Sequence, residues 1–209
     1  LSRGLGDVYK RQQINTLVEQ KNNKIQGFPQ LNKSELLEIY QISRGNPSYI
    51  NHALDLCFDC QLSGQQFELA DTFAGVLEFR LALLSHINPI AYDILVGSAI
   101  IGDKINMNLV KEIFGINDKT FRDVMIYLKK MDYITPVNEL YCEFSSLTLW
   151  ETIIKTAKND INYTKTNKKI FSHLNGFTLN SHAILGIIAQ NLKQPELALD
   201  IWTKNTCLL

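Results

Sequence analysis

The chain has 209 residues, 45% hydrophobic and 20% charged, with 21 basic and 21 acidic side chains and so no formal net charge. That mixture can bury a core, and the balance excludes any global argument for binding nucleic acid or an anionic membrane surface. No run nears the roughly 18 consecutive apolar residues of a membrane span, and Cys57, Cys60, Cys142 and Cys207 follow no secretory signal, so we expect reduced thiols in a cytoplasmic protein.

The chain opens on SRGLGDVYKRQ, Ser2 to Gln12, which has neither helical nor strand period. Back-translated, Asp7-Val8-Tyr9-Lys10-Arg11-Gln12 resembles the transposon end used in sequencing-library preparation, and Ser2-Arg3-Gly4-Leu5-Gly6 resembles the adapter that precedes it. Cys207-Leu208-Leu209 resembles the reverse complement of the same end. Residues 1–12 and 207–209 are therefore expected to be adapter-derived and are set aside from fold reasoning. Without Arg3, Lys10, Arg11 and Asp7 the remainder is slightly acidic.

From there nearly every segment has helical period. Asn32 and Glu35 form a capping-box pair ahead of Leu36, Leu37, Ile39, Tyr40 and Ile42, and Gly45 ends that helix. Asn46 caps the next, with Pro47 at the first helical position, where its missing N–H costs nothing. Leu62 to Gln66 is the clearest loop and the candidate boundary. A helix then carries Val76, Leu77, Phe79, Leu81 and Leu84; Pro89 opens another through Ala99; and a short one is stopped by Gly115. Asn117 or Asp118 caps a helix through Phe121, Val124, Leu128 and Met131. YITPV and LYCEF flank Asn138-Glu139 as a β-hairpin, and helices packed on a terminal hairpin make a winged-helix arrangement. A helix spans Leu147 to Ala157, the polar basic stretch with Asn162, Tyr163, Lys165, Asn167, Lys168 and Lys169 reads as a connector, and short helices follow, the last from Pro195.

ISRGNPSYINHALDLC, FRLALLSHINPIAYDILVGSAIIGDKINMNLV, LKKMDYI and YCEFSSLTLWETII fall in the order and spacing of STAND-type, AAA+-like signal-transduction ATPases. The similarity is to the group in large LuxR-type regulators and beside nucleotide-cyclase domains, and covers roughly Ser34 to Lys204. It implies a mainly α chain: ATPase-lid helices over 13–63, a winged helix with a short β-hairpin over 64–160, and α-solenoid-like, tetratricopeptide-like helices over 161–206. It matches Gly45-Asn46-Pro47 to the family's G-x-P element, whose proline packs near the adenine, although helix capping alone explains the three residues. Arg80 matches the arginine at the entrance to the winged helix; otherwise it reads as a solvated or ion-paired surface residue. Where the family has an aromatic and then, two places on, a histidine that contacts phosphate, this chain has Phe144 and Ser146, and a serine hydroxyl carries no positive charge.

No G-x-x-x-x-G-K-[ST] loop occurs, so nothing in this chain can cradle the phosphates or place Mg²⁺. The resemblance puts that loop and the metal-binding acidic residues upstream. The parent protein would use ATP or ADP with Mg, while this stretch alone is expected to be no enzyme and to hold no cofactor. Its expected partners are the upstream nucleotide-binding core and proteins that dock on the tetratricopeptide-like helices. The alternative is a stand-alone winged-helix DNA-binding regulator with a helical interaction tail. On the helix from Asp118, however, Lys119, Arg122, Lys129 and Lys130 are offset by Asp118, Asp123 and Asp132, so direct nucleic-acid binding is not expected. A zinc site on Cys57, Cys60 and His52 would lack a fourth ligand, and buried thiols read better. His86, His173 and His182 stand apart with no triad pattern, and Trp150 and Trp202 lie on apolar stripes.

Overall fold

A computed structural model describes residues 14–160, 162–174 and 182–206. The adapter-like strings Ser2–Gln12 and Cys207–Leu209 lie outside the described residues, as do the side chains of His182 and Trp202. Among the described residues the fold is mainly helical, eleven helices with one small antiparallel sheet of three strands. No described helix is long and apolar enough to cross a membrane. The chain divides into two compact units, one of residues 1–89 with 130–132, the other of 90–129 with 133–209.

The first unit holds helices α1 (14–24), α2 (Lys33–Ser43), α3 (Pro47–Ser63) and α4 (Phe73–Ile87). Local chemistry sets their ends. The Asn32 side chain accepts from the Ser34 and Glu35 amides while Glu35 reaches back to the Asn32 amide, the full capping box. Two successive left-handed residues, Arg44 (φ 51°) and Gly45 (φ 77°), stop α2 and turn the chain. Asn46 then caps α3 through the Ser48 and Tyr49 amides, with Pro47 at the first position. The core comprises Ile25, Ile39, Leu54, Leu56, Leu77 and Leu81, each fully enclosed.

In the second unit α5 (Pro89–Ile101) is apolar almost all round, and every residue from Ile94 to Ile101 is buried. There Gly97 lets α6 (Met107–Phe114) approach: a Cβ on Gly97 would lie 2.3 Å from Cζ of Phe114. Gly115 (φ 63°) caps α6, and Asn117 rather than Asp118 caps α7 (Asp118–Lys130), accepting from the Thr120 amide. Strands β1 (Lys104–Asn106), β2 (Ile134–Pro136) and β3 (Tyr141–Phe144) pair antiparallel in the order β1-β3-β2, with Ile105 opposite Cys142 and Ile134 opposite Phe144. Sequence period gave no sign of β1, because three residues hold too little alternation to read.

Helix α8 (Leu147–Ala157) follows, then α9 (Tyr163–Leu174), α10 (His182–Asn191) and α11 (Pro195–Thr206). The expected connector over 162–169 is instead mostly helix. Tyr163, Asn167, Ile170 and Leu174 form its buried stripe, and the lysines are its exposed face. Asn167 sits where an apolar residue would have completed the period. Its amide nitrogen donates to the Tyr163 carbonyl and its oxygen accepts from Asn191, so its burial is satisfied.

Candidate functional site

Helix α3 is buried nearly all round, so its polar residues must be accommodated inside the fold. His52, Asp55 and Asp59 recur at i, i+3 and i+7, one stripe of the helix, and all three are buried. Arg80 on α4 enters that stripe with none of its surface exposed; of the alternative read from the sequence, a solvated or ion-paired surface arginine, the ion pairing holds and the surface position does not. A guanidinium is enclosed only when its donors are spent. Here Nε donates to Asp59 Oδ2 at 3.0 Å, Nη1 meets His52 Nδ1 at 2.5 Å, and Nη2 donates to the Met131 carbonyl at 2.8 Å. Nη1 also lies 3.3 Å from Asp55 Oδ2.

Lys21 of α1 completes the network, donating to Asp55 Oδ1 at 2.6 Å and to Asp132 Oδ2 at 2.7 Å. Lys24 takes the other Asp132 oxygen at 2.6 Å, at the solvent edge. Three helices and the 130–132 segment of the first unit are thus tied through one cluster, whose three cations balance three carboxylates.

Burial sets the protonation states. Enclosure, and then the positive charge of Arg80, hold the His52 imidazole well below its usual value, so the ring is neutral. Because Arg80 donates to Nδ1, that nitrogen is the acceptor and the ring proton is on Nε2. Burial raises Asp55 against the pull of Arg80 and Lys21, and raises Asp59 to about 6 against Arg80. For Asp132 burial also acts upward, but the hydrogen bonds from Lys21 and Lys24 outweigh it and hold the carboxyl low. Oδ1 of Asp59 is buried without a hydrogen-bond partner. This chemistry is a charge-balanced clasp that fixes helices.

The residues singled out from the sequence lie elsewhere. Gly45 is half-buried and Asn46 and Pro47 are exposed on the α2–α3 turn. A Cβ on Gly45 would meet the Tyr40 ring at 3.4 Å. Tyr40, with Leu36, Leu37 and Ile14, lines a cleft of about 530 Å³ whose polar edge includes Lys33 and Asn15. Ser146 belongs to the second unit, where its hydroxyl caps α8 by accepting from the Leu149 amide at 3.1 Å. It borders a smaller cleft of about 130 Å³ with Lys104, Glu143 and Trp150.

His52 is engaged by Arg80 rather than turned to the cysteines for zinc. Cys57 and Cys60 are buried, the first thiol pushed far up by enclosure and the second to about 11, so both are protonated at neutral pH. Among the described residues no group of three or more His, Cys, Asp or Glu could hold a metal ion. Sequence reasoning missed Lys21, Asp55, Asp59 and Asp132. The one available signal was the polar stripe at 52, 55 and 59 inside an otherwise apolar helix. Comparison with protein-family models, with curated proteins and with solved structures gave no match.

Proposed function

We propose that this chain is the regulatory arm of a nucleotide-switched signalling ATPase of the STAND type. Residues up to 63 form the lid end of its nucleotide-binding module, the segment to 160 a winged helix, and the helices beyond it the start of a tetratricopeptide-like array. The observation that carries this reading is the element order of the second unit: helix, strand, two helices, then a hairpin whose second strand pairs with the first, giving β1-β3-β2. Helices packed against such a terminal hairpin are what a winged helix requires. Support also comes from α10 and α11, two helices joined by a turn of three residues.

In the parent protein ADP or ATP with Mg would be held mainly by an upstream module, and Pro47 would touch the base. The cleft lined by Ile14, Leu36, Leu37 and Tyr40, whose ring also lies against Gly45, suits a flat aromatic ligand. Ser146 accepts one backbone hydrogen bond and keeps its O–H for donation, so it could meet a phosphate oxygen without adding charge. Switching would then be a shift between two arrangements of the arm, each favoured by one nucleotide.

The test separates this arm from a DNA-binding regulator. Fluorescence anisotropy of the purified chain with duplex DNA, titrated between about 50 and 200 mM salt, should show no salt-dependent binding. The absence of any formal net charge on the chain favours that outcome. Binding that weakens steeply with salt, and is lost in Arg122→Ala, would overturn the proposal in favour of direct DNA recognition.

A further inference from the structure

Helix α8 carries an apolar stripe on its outward side. Leu147, Trp150 and Ile154 recur at i, i+3 and i+7; Leu147 is 64% exposed and the other two are half-buried. Trp150 is fixed in that position, because its indole N–H donates to the Ala99 carbonyl at 3.0 Å. Its ring stands between two adjoining clefts, the 130 Å³ one at the N-terminal end of the helix and another of about 420 Å³ at the C-terminal end. Contiguous exposed apolar side chains rimmed by polar residues are the pattern of an interaction surface.

The charge along the groove is polarised. Its N-terminal end is bordered by Asp103 and Glu143 with one cation, Lys104. Its C-terminal end is bordered by Lys155 and Lys158 with one anion, Glu151. One end therefore carries an excess negative charge and the other an excess positive charge. A surface with opposite charge at its two ends and an apolar centre complements itself after a half-turn.

We propose that the groove binds α8 of a second copy of this chain, antiparallel, to form a two-fold dimer. A pairing centred between Trp150 and Glu151 sets Leu147 of each copy opposite Ile154 of the other and brings the two Trp150 rings to the axis. It carries the Lys155–Lys158 end of each copy over the Asp103–Glu143 end of the other. Antiparallel helix dipoles act in the same sense. A lipid surface is the poorer occupant, since the apolar stripe covers only two turns, about 10 Å, and carboxylates border both ends.

Sedimentation velocity on the full chain over 1–200 μM protein, as a chosen range of roughly two decades, tests this at low salt. The chain should show a monomer–dimer equilibrium that weakens as salt is raised. Leu147→Asp should weaken it at least about tenfold. Lys155→Glu with Lys158→Glu, and separately Asp103→Lys with Glu143→Lys, should each leave monomers whose circular dichroism matches the parent chain. An equimolar mixture of the two double variants should dimerise again, because each end of one variant then faces an end of opposite net charge on the other. A chain that stays monomeric throughout overturns the proposal, and so does a dimer that all three variants leave intact.

Discussion

Replacing Arg80 by Met tests the clasp with one side chain. Methionine fills most of the volume and supplies none of the donors. Asp59 then loses its ion pair, the 3.0 Å contact to Nε, and the Met131 carbonyl loses the 2.8 Å bond from Nη2. Asp55 keeps Lys21. Breaking one side of a fully enclosed ion pair costs about 3–5 kcal/mol, because the remaining charge stays buried. That is a large part of the stability of a unit this size. The first unit contains no tryptophan, so tryptophan fluorescence does not report on it directly. Hydrogen exchange followed by mass spectrometry does: amides of α3 and α4 should exchange about 10² to 10⁴ times faster, up to the limit of global unfolding, while those of α6 and α7 change far less. Combining Arg80→Met with Asp59→Asn removes the stranded charge and should recover part of the loss. Protection in Arg80→Met within about threefold of the parent, less than 1 kcal/mol, would refute the reasoning, since the guanidinium would then hold nothing together.

The clasp also predicts a pH signature. Asp59 titrates at about 6 when folded against 3.8 when exposed, so between those values the folded chain binds more protons and acid favours folding; Asp55 acts in the same direction. His52 acts oppositely: its contribution is present above pH 6.5 and is lost as pH falls, because the unfolded ring takes up a proton that the folded ring refuses. Asp59→Asn should therefore make the first unit lose stability more steeply between pH 7 and 5, by on the order of 1 kcal/mol per pH unit, in urea titrations at stepped pH, and parallel profiles would contradict the assignment. Gly97→Ala drives a methyl group into the Phe114 ring and should cost the second unit about 1–3 kcal/mol in thermal melts followed by Trp150 fluorescence, with Phe114→Leu restoring part of it. Asn46→Ala removes the α3 cap and should cost about 1 kcal/mol by the same exchange measurement, whereas Asn46→Ser should cost little.

Helix ends were legible in the sequence wherever a cap is local. Asn32 with Glu35, Asn46 with Pro47, and Gly115 each act within four residues of themselves, so their signal survives without knowledge of the fold. The hairpin over 134–144 was legible for the same reason. The clasp was not. Lys21, Asp55, Arg80 and Asp132 lie up to 111 positions apart, and each alone reads as an ordinary surface charge. Only the spacing of His52, Asp55 and Asp59 against the apolar residues between them hinted that charge had to go inside. Asn167 misled in the reverse direction, since one buried amide hid the period of α9. Ser146 and the Gly45–Pro47 turn are explained locally as caps, and their reading as nucleotide contacts rests on the family resemblance.

The most direct test of the switch-arm account is long-read sequencing of the source DNA upstream of the codon for Gln13. The account predicts an open reading frame running upstream that encodes a G-x-x-x-x-G-K-[ST] loop and, after it, an apolar strand ending in acidic residues. A start codon immediately upstream of Gln13, with no such loop in frame, would contradict it.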